Sequence, residues 1–221
     1  MLFLGMIAKE KVNKEVSSFY VSLPFKYQIV LVDLVNKTVH QPLSTCFAKV
    51  IDQYAGKCIR PEFLGAETDN DILLVTTRSG FFGINTQTGV ASLYTNPNMA
   101  FAGSSVNGDF NQAQVGKLGP PTPVPGRDGL FLVADYNNFN IRSIVINEEK
   151  IFSLCSSQVF RDTEEEVYGT TQAPAMVNLP PCNLDYPYSV MFRDNSSSEI
   201  FISQRYRVTY FKLSCKCEIL I

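Results

Sequence analysis

Residues 130–154 read LFLVADYNNFNIRSIVINEEKIFSL: three short apolar runs separated by two polar turns. The first run, 130–135, leads through Tyr136, Asn137, Asn138, Phe139 and Asn140 into the second, 141–146. Asn147, Glu148 and Glu149 then turn the chain into the third, 150–154. Runs of this length, rich in β-branched and aromatic residues and bounded by Asn and acidic residues, are strands joined by turns. No apolar spacing of three and four residues competes for a helix. The unit is an antiparallel meander, and it is apolar on both faces, so it must lie between neighbours of its own kind.

The same pattern recurs on either side. Residues 72–77 lead to 80–85, and Thr88-Gly89 turns into 90–94. Earlier, 27–35 passes through Asn36-Lys37 into 38–40 as a hairpin. Near the end, 199–203, 207–213 and 217–221 form another copy. The first strands, at Ile29, Ile72, Leu130 and Ile200, lie 43, 58 and 70 residues apart. The shortest spacing fits a propeller blade of about 40–50 residues, and the longer ones fit that blade with insertions. The insertions fall at 95–129, with its run of prolines and glycines, and at 156–188, with the acidic stretch 162–166. Long polar connections of this kind are expected on the surface, where rims carry recognition. The one segment with helical character is short, around 44–54.

Several residues match a known repeat in order as well as composition. Ala102-Gly103, Gly108-Asp109, Pro123 and Pro125, then 130–133 with Ala134-Asp135, Asn137-Asn138, Ile141-Arg142 and Ile144 resemble the NHL repeat. Phe110 stands where that family usually has glycine, and Phe139-Asn140 replaces its usual polar-arginine step. Elsewhere Tyr54-Ala55-Gly56, Thr88-Gly89-Val90 and 184–190 match more loosely, with Thr76-Thr77 and Ser203-Gln204 in place of Ala-Asp. The resemblance implies an all-β fold, a β-propeller of NHL-like blades. About four are visible, near 27–56, 72–103, 130–155 and 187–221, where such propellers usually close with six. It also implies that Gly103, Gly108, Asp109, Ala134, Asp135, Asn137, Asn138, Ile141 and Arg142 are structural positions of the repeat. Asp135 would hold its turn by accepting backbone N–H groups. Arg142 would reach that carboxylate or the next blade.

The propeller spans 26–221 in this reading, after an N-terminal extension, 1–25. That extension begins with an apolar, weakly signal-like stretch, 1–8, which lacks a basic start and meets Lys9-Glu10-Lys11. A first strand is the alternative. The last residues, 219–221, stop inside an apolar strand, so further blades or domains in a longer parent chain are expected. No apolar run approaches the ~18 residues of a spanning helix.

The 221 residues are 45% hydrophobic and 18% charged, with formal net charge −2, enough for a large core and without global attraction for nucleic acid. A single histidine, His40, excludes any multi-histidine zinc site and leaves Ser-His-Asp chemistry only an isolated loop residue. No phosphate-binding glycine loop, dinucleotide fingerprint or nucleophile elbow occurs. Cys46, Cys58, Cys155, Cys182, Cys215 and Cys217 are disulfide candidates with fifteen formal pairings, and Asn36 and Asn195 head N-glycosylation sequons. Both features point to a secreted, extracellular setting.

The expected function is therefore non-enzymatic: a protein- or peptide-binding module working through its rim loops, with no cofactor. One alternative is a calcium-dependent, lactonase-like propeller hydrolase, with Asp135, Asn138, Asp194 and Asn195 as oxygen donors. Another is RNA binding through 205–212, the one stretch that interleaves basic and aromatic residues. On a strand, alternation would send Arg205, Arg207 and Thr209 to one side and Tyr206, Val208 and Tyr210 to the other.

Overall fold

The computed structural model describes residues 6–12, 15–46, 58, 60–68, 70–77, 80–95, 105–154, 184–193 and 199–212. These form four antiparallel sheets, built mainly by the pairing of sequence neighbours. Sheet 1 holds β1 (Met6–Val12), β2 (Glu15–Leu23), β3 (Gln28–Asp33) and β4 (Thr38–Val39) in that order, with β5 (Leu43–Ser44) also on β3. Sheet 2 runs β6 (Phe63–Glu67), β7 (Ile72–Thr77), β8 (Gly80–Asn85), β9 (Ala91–Leu93). Sheet 3 contains β10 (Gly108–Asp109), β11 (Thr122–Pro123), β12 (Leu130–Asp135), β13 (Asn140–Val145) and β14 (Lys150–Ser153), in the order β10-β14-β13-β12-β11. Sheet 4 runs β15 (Ser189–Phe192), β16 (Glu199–Ser203), β17 (Val208–Lys212).

The period-2 alternation of strand side chains decides how the sheets stack. On β7, Leu73 and Val75 pack with Tyr20 and Ile29 of sheet 1, whereas Leu74 packs with Phe131 and Val133 of sheet 3. On β12, the intervening Leu132 and Ala134 turn the other way, onto Val190, Ile200 and Ile202 of sheet 4. Sheets 2 and 3 are therefore apolar on both faces because each is covered on both. Full burial of one such side chain contributes about 1.5–3 kcal/mol, so two apolar faces per sheet make the stack the main source of stability. Hydrogen bonds also join the sheets: Thr76 Oγ1 donates to the Gly119 carbonyl at 2.8 Å, and Thr122 Oγ1 to the Val190 carbonyl at 2.6 Å.

The strands of the meanders at 27–40, 72–94, 130–154 and 199–212 lie close to their expected places; residues 217–221 fall outside the described residues. Three expectations change. Met6–Val12 and Glu15–Leu23, placed in an N-terminal extension with a first strand as the alternative, form β1 and β2, and β2 pairs with the whole of β3. The charged Lys9-Glu10-Lys11 that interrupts an apolar run is compatible with a strand, which needs no uniform hydrophobicity along its length. Secondly, much of 95–129 is not a surface loop. It supplies β10 and β11, and Phe110, Ala113, Val115 and Leu118 are buried in the core between sheets 2 and 3. Those four residues are spread among Asn, Gln and Gly, which dilutes the apolar signal in the sequence while leaving the inward-facing positions apolar. Finally, Leu43–Ser44, at the start of the expected helix, is strand β5; 47–54 lie outside the described residues, as do 155–183.

Candidate functional site

Asp135 ends β12 and is fully buried. Its Oδ1 accepts the Gly116 N–H at 3.1 Å, its Oδ2 accepts Asn138 Nδ2 at 2.8 Å, and Arg142 Nη1 stands 3.7 Å from Oδ2. A Cβ on Gly116 would lie 2.7 Å from that Oδ1, so only glycine lets the carboxylate approach this backbone. Arg142, from β13, is also fully buried and donates to the Val106 carbonyl at 2.8 Å, to the Gln114 carbonyl at 3.2 Å and to Ser105 Oγ. Arg142 thereby clips the 105–114 stretch to sheet 3; its Nε has no partner among the described residues. Burial pushes the Asp135 carboxyl up from its ordinary value, against the opposing pull of Arg142 and of the N–H donors. Burial also brings Arg142 down to about 10, still far above neutrality, so the guanidinium stays charged.

The remaining repeat positions surround this pair. Ala134 and Ile141 are core residues facing sheet 4, and Asn138 is buried beneath its turn while Asn137 is exposed. Gly108, at φ 133°, and Asp109 form β10, where the Asp109 carbonyl accepts the N–H groups of Gln112 and Ala113. Gly103 lies outside the described residues. As calcium donors Asp135 and Asn138 fit poorly: the carboxylate already faces a guanidinium and two N–H groups, and Asn138 turns its amide nitrogen toward it. Asp194 and Asn195 are outside the described residues.

His40 and Asn36 are exposed, and the Asn36 amide nitrogen donates to Asp33 Oδ2 at 2.8 Å. Cys46 and Cys58 form a disulfide. Cys155, Cys182, Cys215 and Cys217 are not among the described residues.

A different cluster stands at the end of the sheets where β12 and β16 finish. Register puts four segments there: 116–119 before β11, 136–139 between β12 and β13, 184–188 before β15, and 204–207 between β16 and β17. Backbone hydrogen bonds tie them together, Tyr136 N–H to the Lys117 carbonyl at 2.9 Å and Tyr188 N–H to the Ser203 carbonyl at 2.8 Å. Gly119 lets sheet 3 meet sheet 4, since a Cβ there would sit 2.0 Å from the Tyr188 carbonyl oxygen.

On this rim the Tyr136 ring lies 4.9 Å from both Tyr186 and Tyr188, and Phe139 lies 4.7 Å from Tyr186. Lys117 Nζ sits 5.5 Å over Tyr136, and the Arg205 guanidinium sits 5.7 Å over Tyr186 and 5.0 Å over Tyr206. Hydrogen bonding of the Tyr136 phenol to the Tyr188 side chain pushes its pKa above the ordinary value. Tyr188 is 45% and Tyr206 78% exposed. Phe139 and Tyr186, in mutual contact, both hold the left-handed conformation, φ 53° and 45°. Phe139 takes it as the residue closing a 3-10 turn, as Tyr27 and Glu149 do at the equivalent turns. Sequence reasoning singled out only Arg205 and Tyr206 of this group and placed them on a strand. The strand starts at Val208, so they occupy the turn before it and the expected alternation does not reach them. Phe139, where the chain departs from the repeat, also falls in this group.

No family model matches the sequence, and no curated protein matches it. Solved structures do. The Cps50 (Swd1) β-propeller domain of Myceliophteria thermophila superposes with a TM-score of 0.53 at 11% identity, over 95% of this chain and 53% of that one. The fold is that of β-propeller blades. A Bacteroides thetaiotaomicron protein of unknown function gives a TM-score of 0.53 at 13% identity, over 85% of this chain and 42% of its own. The extracellular domain of a hybrid two-component system from the same organism gives 0.53 at 11%, over 95% and 23%. This chain thus spans between about a quarter and a half of the length of these three structures. The four sheets of the described residues are propeller blades, and the aromatic rim belongs to the third and fourth.

Proposed function

We propose that this chain is a non-enzymatic propeller module that binds a protein or peptide across the rim of blades 3 and 4. The observation that carries this reading is the continuous run of rings and cations from Lys117 through Tyr136 and Tyr186 to Arg205 and Tyr206. Tyrosine and arginine are the residues most enriched at binding hot spots, because each brings a large, stiff contact surface with a polar end. Here they stand on loops held by a rigid stack of sheets, the usual division between scaffold and recognition. An NHL-like family would fit this use, and the repeat-like residues of blade 3 support that assignment.

The test is selection of peptides from a displayed library on the intact protein, followed by affinity measurement against Tyr188→Ala and Tyr206→Ala. Loss of at least about tenfold in both variants, with unchanged melting temperature, supports the rim as the binding surface. Selected peptides that bind both variants as tightly as the parent protein would place recognition elsewhere.

A further inference from the structure

The charges around the rim narrow the ligand chemistry, on the reading that this rim binds a protein segment. We infer that it takes an acidic peptide bearing an aromatic side chain, with carboxylates on either side of the ring. The whole chain carries net charge −2, yet the four rim segments contain three cations, Lys117, Arg205 and Arg207, against one carboxylate, Asp185. No carboxylate among the described residues lies within ion-pairing distance of Lys117 or Arg205. Their charge is instead held over tyrosine faces, Lys117 at one end of the cluster and Arg205 at the other. A guanidinium positioned in this way is pre-organised to take a carboxylate in a two-pronged hydrogen bond.

The rings between the two cations supply the apolar part of the contact. Tyr188 and Tyr206 are exposed and offer open faces or edges to an incoming ring. Centroids 4.7–4.9 Å apart, with planes tilted by 41–57°, close the gaps between neighbouring rings, so an incoming ring meets the exposed surfaces of Tyr188 and Tyr206 and not a slot between two rings. A nucleobase would meet the same surfaces, which makes polyuridylate the necessary competitor.

The probes are defined polymers: a random copolymer of glutamate and tyrosine, a copolymer of lysine and tyrosine, polyglutamate, and polyuridylate. Binding to the full chain is measured by interferometry at about 0.15 M ionic strength and at a tenth of it. The glutamate–tyrosine copolymer is expected to bind best, more tightly at low salt, and polyglutamate at least about tenfold more weakly for lack of rings. Arg205→Glu, at an exposed turn, is expected to weaken the copolymer at least about tenfold without altering the melting temperature. Equal or tighter binding of the lysine–tyrosine copolymer or of polyuridylate overturns the acidic-peptide assignment and leaves a binding rim in place, whereas copolymer binding indifferent to Arg205→Glu overturns the assignment and the part of the rim built on Arg205. Failure of every polymer to bind overturns both the assignment and the rim itself.

Discussion

Replacing Asp135 with asparagine tests whether the buried pair holds blade 3 together. The carboxylate is fully buried, accepts two N–H groups, and is the negative charge nearest Arg142. Asparagine keeps the shape. It nonetheless removes the charge and points an amide donor at groups that are themselves donors. Arg142 then remains buried with no counter-charge, while still holding the carbonyls of Val106 and Gln114. Removing one partner of a buried pair costs about 3–5 kcal/mol. For a chain of this size that corresponds to roughly 6–20 °C in melting temperature. Arg142→Met strands the carboxylate instead, whereas the double variant Asp135→Asn with Arg142→Met leaves no charge buried. The double variant should therefore lose less than the sum of the singles, by at least about 1 kcal/mol. The assay is urea unfolding followed by far-UV circular dichroism, since the chain has no tryptophan to report by fluorescence. A change below about 0.5 kcal/mol for Asp135→Asn, the range of neutral surface substitutions, would refute the anchoring role. Normal stability with lost ligand binding would instead make Asp135 a recognition residue.

Three further outcomes are expected. Phe110 packs edge-on against Phe81 at 5.0 Å and lies 4.9 Å from Tyr94, so Phe110→Ala should cost about 3–5 kcal/mol in urea unfolding, where a surface-loop residue would cost almost nothing. Gly119→Ala drives a methyl group into the Tyr188 carbonyl, so a melting temperature several degrees lower and weakened rim binding are expected together, while an unchanged melting temperature would contradict that close approach. The Asp33 carboxyl is held below its ordinary value of 3.8, first by the Asn36 N–H and then by the Asn36 amide. A lowered folded-state pKa contributes stability above 3.8 that is lost as pH falls through the folded value, so the stability gap between the parent protein and Asp33→Ala should close in acid. A gap that widens in acid would reverse the sign.

How much of this protein could be read without its fold depends on the range of the interactions concerned. Strand and turn placement was legible at 72–94 and 130–154 because it rests on local rules: β-branched runs, asparagine turns, and a period of two that survives in any context. The need for stacked sheets was legible too, since Phe131 with Val133 and Leu132 with Ala134 make both faces of one strand apolar. Residues 105–118 were misjudged because composition averages over a segment, while burial of Phe110, Val115 and Leu118 depends on which positions face inward once sheet 3 has formed. The rim was hidden for a related reason. Tyr136, Tyr186 and Arg205 are about 70 residues apart from first to last, and nothing in their spacing brings them together. Only the register of β11 with β12 and of β15 with β16, and the bare backbone of Gly119 against the Tyr188 carbonyl, places those side chains on one edge. The sequence alone determined an all-β chain of repeated meanders. The tertiary structure decided which polar-looking segment enters the core and which scattered aromatic residues form a surface, because both follow from contacts between elements rather than within them.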